Sequence, residues 1–507
     1  MPIIKNNITG IITFFLLLIL NNPLDIFAQS NGGFESGLAD WKISGEVSID
    51  SSHAQEGKLC AKIGSHSALM RRIEVSPLSV LQFDIYVKCS TDKLKAYSFI
   101  RFYDDSDHEL LEYKSDRITS ASYIKTGNYT LVPPDTKYAA MGIQSDASGE
   151  GYIYADGFSM ELNIGSPASK HPPQCNVDQY MHPFWKGDTV YNETVLMYSI
   201  NGKPAIGKLL FQPGKILSVK SFDLSTVYTK NIDYSINGNI IACKTKSKMP
   251  FRADTSFDRK NDLAWYNLQS QWIVVTYTHK DKWNGPIPSY KGNKMPEFIS
   301  KLRSKSPLKI IAYGMSITRG LNVSSYDSVP PYMPAYVNLF TDALKKKYDY
   351  DDIVLYNAGL PGAVVSWAAA YADKYINPVK PDLVIIDFGM NDFWRYKPEE
   401  FKSYVGTIID KIKSVNPDAS FLLLSNMKFD PDYVLVTDKN RQFYLSNMEG
   451  YSKVLKQLET TGIINIDMTT LSDAIYHRKK AKDCIANPLH PNDYLARWYA
   501  QAMIAAF

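Results

Sequence analysis

"IIAYGMSITRG", residues 310–320, is the stretch on which the fold turns. An apolar run of strand length ends at Gly314, and Met315, Ser316, Ile317 and Thr318 follow at once. A strand that stops at a glycine and bends into a serine is the form a chain takes when it presents a hydroxyl at the end of a sheet. The same rhythm recurs downstream. "DIVLYNAG" leads to a helical pattern near 365–376, and "PDLVIIDFG" to one near 398–415, where Pro398 and Glu399–Glu400 suit a helix start. "SFLLLSNM" leads to one near 440–460, and "LKIIAYG" itself to one near 333–347. "IINIDM" precedes a last helix that Asn492 can cap. Strand-length apolar runs alternating with amphipathic helices predict a parallel sheet covered by helices over residues 301–507.

Upstream the rhythm is different. Residues 29–165 hold short alternating segments such as "SVLQFDIYVKC" and "YSFIRFYD", punctuated by Gly, Ser and Asp, and read as a β-sandwich. Residues 166–174 are rich in Pro and Ser and read as a linker. Residues 175–300 are again strand-like and read as a β-rich accessory domain. The chain is therefore expected to be multidomain, two all-β domains ahead of one α/β domain. Its 507 residues leave room for several cores.

The leader "MPIIKNNITGIITFFLLLILNNPLDIFAQS" has Lys5, a short apolar run over 11–20 and Ala28 at a cleavage-like position. Residues 1–28 are expected to be a secretory signal peptide, and the mature protein periplasmic or secreted without membrane insertion. The five cysteines form no Cys-x-x-Cys pair, which argues against zinc. Export would permit a disulfide, and Cys60 with Cys89 is the candidate bridge. A net charge of +4 without a long basic run gives nucleic acid no electrostatic footing. The eight histidines show no ligand spacing, so neither metal nor cofactor is expected.

The residues that can do chemistry fall just after the parallel strands or before the last helix. Ser316 follows the first strand, "NAGLPGA" (357–363) the second and "GMND" (389–392) the third, while "NPLHPND" (487–493) precedes the final helix. Strand carboxyl ends converge in such sheets, so these loops should meet. Acyl transfer needs a nucleophile, a base that titrates near neutral pH, and donors for the oxyanion. Ser316 offers the hydroxyl and His490 the imidazole. Gly362 offers a backbone N–H that no Cβ obstructs, and Asn391 a side-chain amide. The Ser316 N–H is a further donor, and Asp392 is given no chemical role.

"GMSIT", "NAGLPG", "GMND" and "NPLHPN" together resemble, in order, the four blocks of the SGNH (GDSL-type) hydrolases. The resemblance covers residues 308–507 and implies a flavodoxin-like sheet and a serine esterase. It implies Ser316 as nucleophile, His490 as base, and Gly362 and Asn391 as oxyanion donors. The sequence departs from that pattern at two positions. Met315 stands where an aspartate usually precedes the serine. Asn487 stands where an acid usually lies three residues before the histidine. The site then works as a Ser–His dyad, or a carboxylate comes from elsewhere, Asp483 being nearest in sequence.

"NGGFESGLADWKISG" (31–45) and "YIYADGFSMEL" (152–162) resemble the first and last segments of jelly-roll carbohydrate-binding modules. Phe34 and Trp41 suit either a core or a sugar platform. An exported SGNH enzyme with such a module implies an acylated glycan as substrate and removal of O-acyl, above all O-acetyl, groups. A lipase of small esters, with an apolar acyl groove, and a non-catalytic glycan-binding protein are the competing readings.

Overall fold

The computed structural model describes residues 31–163, 171–253, 270–431 and 438–507. The signal-peptide stretch 1–28 and most of the linker lie outside them. Contacts divide the chain into two compact units, Met1–Gly165 and Ser166–Phe507.

The first unit is a sandwich of two five-stranded antiparallel sheets. Strand Val80–Cys89 shows why the sequence folds this way. Its side chains alternate, and Leu81, Phe83, Ile85, Val87 and Cys89 all face the core. Period-two alternation is what a strand with one covered face requires. Each large apolar side chain so buried contributes about 1.5–3 kcal/mol. Phe34 and Trp41 belong to this core, their rings 5.1 Å apart, with Trp41 edge-on to Phe158. They are structural and do not form a platform for sugar.

The expected Cys60–Cys89 bridge is absent, and all five cysteines are free thiols. Strands Cys60–Ile63 and Val80–Cys89 pair with opposite edges of strand Ile153–Asn163. Two strand spacings separate them by about 9–10 Å, too far for a disulfide.

In the second unit, a three-stranded and a five-stranded sheet occupy the segment up to His279. A five-stranded parallel sheet follows. Its strands are, in chain order, Leu308–Gly314, Ile353–Gly359, Leu383–Asp387, Ser420–Ser425 and Ile463–Asp467. Their spatial order is second, first, third, fourth, fifth, with every pairing parallel. The third and fourth strands are buried along their whole length, as a sheet covered on both faces demands. Helices Tyr336–Tyr348, Val365–Tyr375, Pro398–Lys413 and Asp438–Gln457 supply the crossovers. Pro398 opens its helix, and the Glu400 carboxylate accepts the Lys397 N–H at 2.9 Å.

One element goes beyond the sequence reading. Helix Met468–Tyr476 follows the last strand directly, with Asp467 accepting the Thr470 N–H as its cap. A short antiparallel hairpin, Ile485–Asn487 with His490–Pro491, then leads to the final helix, Asp493–Ala505. Asn492 caps that helix, its side chain accepting from Tyr494 N and Leu495 N. Among the described residues no helix is long and apolar enough to cross a membrane.

Candidate active site

In this strand order the chain leaves the first strand toward one side and the third toward the other. The resulting crevice at their carboxyl ends is where such sheets take ligands. Ser316 follows the first strand and Asn391 the third.

Gly314 ends the first strand, and a Cβ there would meet Thr318 Oγ1 at 2.0 Å and Asp387 O at 2.7 Å. Only glycine lets the chain turn this tightly into the helix Ser316–Arg319. The turn is held from below. Thr318 Oγ1 accepts the Met315 N–H at 3.2 Å and donates to Asp387 Oδ2 at 2.7 Å. Tyr336 donates to the same oxygen at 2.7 Å, and Asn426 Nδ2 to Asp387 Oδ1 at 2.6 Å. Burial pushes the Asp387 carboxyl up to about 6, against the pull of those three donors. Sequence reasoning missed Asp387. Its signal was an acid closing an otherwise apolar strand, "LVIID".

Ser316 and His490, 174 positions apart in sequence, meet with Oγ 2.7 Å from Nε2. Both side chains are buried. Asn487 Nδ2 lies 2.7 Å from His490 Nδ1. The Asn487 oxygen is turned away from the ring and accepts Leu489 N–H and His490 N–H at 2.9 and 3.0 Å. Asp483, the alternative orienter, does not serve the imidazole. Its Oδ1 accepts the Leu196 N–H at 2.8 Å and its Oδ2 lies 3.6 Å from Lys479 Nζ. Burial pushes the His490 imidazole down to about 4.

Asn391 is buried and donates to Ala363 O at 2.9 Å, which fixes the amide plane. The same nitrogen lies 3.7 Å from Met315 Sδ, a weak acceptor that leaves the second amide hydrogen available. Gly362 is exposed at φ +80°, and a Cβ there would meet nothing within 4 Å. The left-handed backbone favours glycine here, and the open space around it leaves its N–H unobstructed. Asp392 has a larger part than its sequence position implied. Its oxygens accept Val365 N and Gly389 N at 2.9 and 2.8 Å, tying the "GMND" loop to the helix behind Gly362. Burial raises the Asp392 carboxyl to about 7. Among the described residues no group of His, Cys, Asp or Glu is arranged to hold a metal ion.

The hairpin that carries His490 is strapped to the β-rich segment. The buried Lys479 ammonium contacts Glu193 and donates to Thr194 O at 2.9 Å. Trp272 Nε1 donates to Lys482 O at 3.0 Å, and Asn492 Nδ2 to Thr194 Oγ1 at 3.1 Å. Burial pulls the Lys479 ammonium down, but Glu193 and Asp483 beside it hold it well above its usual range.

A hydroxyl on an imidazole at the mouth of a doubly wound sheet agrees with what comparison of the sequence finds. Residues 312–497 match the model of the GDSL-like lipase/acylhydrolase family. This region is a GDSL-like lipase/acylhydrolase domain. The chain is thereby a carboxylic ester hydrolase by class. No curated protein matches it in sequence. Among solved structures it is similar to a two-domain esterase active on acetylated mannans. The identity is 20% and the TM-score 0.34, over 43% of this chain and 54% of that one. It is similar to Axe2, an acetylxylan esterase from Geobacillus stearothermophilus, at 20% identity and TM-score 0.33, over 39% of this chain and 93% of that one. It is also similar to the C-terminal family 22 carbohydrate-binding module of Clostridium thermocellum Xyn10B. There the identity is 14% and the TM-score 0.23, over 27% of this chain and 96% of the module.

Proposed function

We propose that the protein is an exported esterase that removes O-acyl groups, chiefly O-acetyl, from a polysaccharide or oligosaccharide. The observation that carries this reading is the 2.7 Å contact between Ser316 Oγ and His490 Nε2 within a GDSL-like domain. In the reaction, Ser316 Oγ attacks the ester carbonyl and its proton passes to His490 Nε2. The tetrahedral oxyanion accepts from Gly362 N–H, the second Asn391 amide hydrogen and Ser316 N–H. Collapse expels the sugar hydroxyl, which takes the proton back from the imidazole, and leaves an acyl-serine. Water then attacks with the same base, and the acid and Ser316 are released.

The glycan as substrate is supported by the signal-like leader and by the module-like motifs of the first unit. Neither feature serves a cytoplasmic esterase of small molecules. Ser316→Ala removes the nucleophile, so hydrolysis of a soluble acetyl ester should fall to background while the thermal melt is unchanged. Undiminished turnover would discard the mechanism. Acetate release from a panel of acetylated plant and algal glycans tests the substrate class, and activity confined to long-chain acyl esters would reassign the enzyme to lipids.

A further inference from the structure

We propose that Asn487 holds the resting His490 in its Nε2–H tautomer, as a positioning residue that restrains the Ser316–His490 pair. The proposal rests on the esterase reading of that pair. It follows from the four contacts of one amide. Asn487 Oδ1 faces two backbone donors, Leu489 N–H and His490 N–H, at 2.9 and 3.0 Å. Asn487 Nδ2 faces two acceptors, His490 Nδ1 and Asn322 Oδ1, both at 2.7 Å. Turning the amide over would set its NH2 against both backbone N–H groups, which cannot turn away. The two backbone donors thereby fix the observed orientation.

In that orientation Nδ1 accepts, so the lone pair of the neutral ring lies there and its proton is on Nε2. This proton points at Ser316 Oγ, 2.7 Å away. A ring in that state donates to the serine and cannot take its proton. Catalysis therefore waits for the Nε2 proton to pass to water and for Nδ1 to take one from water in return, a net tautomer exchange that breaks the bond from Asn487. Only then can the Oγ proton pass to the freed Nε2 lone pair as the Oγ–carbon bond forms. In a Ser–His–Asp triad, asparagine in place of the aspartate lowers kcat by about 10⁴ through this wrong tautomer.

Among the described residues no charge near the ring offsets the arrangement. The groups facing it are Asn487 from its own hairpin and Ser316 from the nucleophile turn, with Asn322 behind Asn487. Asp493, on the following helix, gives its oxygens to Ser324 N and Oγ, each at 2.7 Å. Asp483 is engaged with Leu196 and Lys479. The imidazole is thus a weak base, held at about 4 by burial.

Asn487→Asp tests the proposal with almost no change of shape. One carboxylate oxygen keeps both backbone donors. The other accepts a proton on Nδ1, and the half-buried Asn322 amide turns to donate to it. Nitrogen NMR of the full chain at neutral pH should show His490 unprotonated at Nδ1 and protonated at Nε2, and the reverse in Asn487→Asp. On a soluble acetyl ester, kcat should rise about tenfold or more with KM unchanged. The acid limb of kcat/KM should move up by about one pH unit or more, because a carboxylate beside the ring favours its charged form. A wild-type His490 protonated at Nδ1 overturns the proposal, as does an unchanged or lower kcat in folded Asn487→Asp. The wild-type spectrum needs neither turnover nor a variant. Failure of the esterase reading, seen as turnover that survives Ser316→Ala, is thereby distinguished from failure of this one.

Discussion

In the mechanism proposed above, Asn391 is a side chain readied for a charge that is absent from the ground state. One amide hydrogen is spent on Ala363 O and the other faces only a thioether. The first bond fixes the plane and the second hydrogen stays unspent, so no strong partner must be released when an oxyanion forms. Asn391→Ala should therefore lower kcat by about 10²–10³ and leave KM nearly unchanged, the loss expected for one oxyanion donor. Steady-state kinetics on a soluble acetyl ester measure it, and a loss confined to KM would mean that Asn391 binds substrate instead. The four proposed site residues could be named from sequence because their chemical types are rare and each follows a strand or precedes the last helix, and the structure brings Ser316 and His490 into contact. Asp387, Asp392 and Thr318 were not legible as supports. An acid beside apolar residues has no sequence mark that distinguishes a solvated loop from a buried acceptor of two or three donors. Nor could the sequence say which end of the Asn487 amide faces the ring. That depends on two backbone N–H groups whose direction exists only once the hairpin is folded.

At the scale of elements, the His490 hairpin is short and would wander by itself. It is fixed by what it is tied to. Lys479, Asp483 and Asn492 bind it to strand Thr189–Leu196, and Glu193 is the counter-charge. Glu193 is fully engaged, since it also accepts Tyr277 O–H at 2.6 Å and Leu210 N–H at 2.8 Å. Lys479→Met leaves Glu193 and Asp483 buried without their cation, and such a loss costs about 3–5 kcal/mol. Chemical denaturation should show a fall of that size. Esterase turnover should fall further than stability alone explains at temperatures where the variant is folded, because His490 loses its anchor. Adding Glu193→Gln to Lys479→Met removes one of the stranded charges while the amide still meets Leu210 N–H and Tyr277 O–H, and should recover part of the stability. A double variant less stable than the single one would refute the pairing. The strands and helices of this region were readable from period and punctuation. The strap was not, because it joins residues nearly three hundred positions apart, and helix Met468–Tyr476 was hidden because it starts with no loop after its strand.

At the scale of the whole molecule, the chain carries more than one core, and this sets how damage is confined. The sandwich core is built from residues between Phe34 and Leu162, with Phe83 fully buried and its ring 5.7 Å from that of Phe158. The Ser316–His490 pair, the strap and the parallel sheet all lie within the second unit. Phe83→Ala empties a ring-sized volume, and such truncations cost about 3–5 kcal/mol. Calorimetry of the intact chain should show one transition moved to lower temperature and another in place. Hydrolysis of a soluble acetyl ester should remain at the wild-type rate up to the second transition. If the sandwich serves the enzyme by holding glycan, the same variant, warmed just above the first transition, should lose acetate release from insoluble polysaccharide while keeping it from the soluble ester. A single merged transition, with both activities falling together, would mean that the two units fold and act as one.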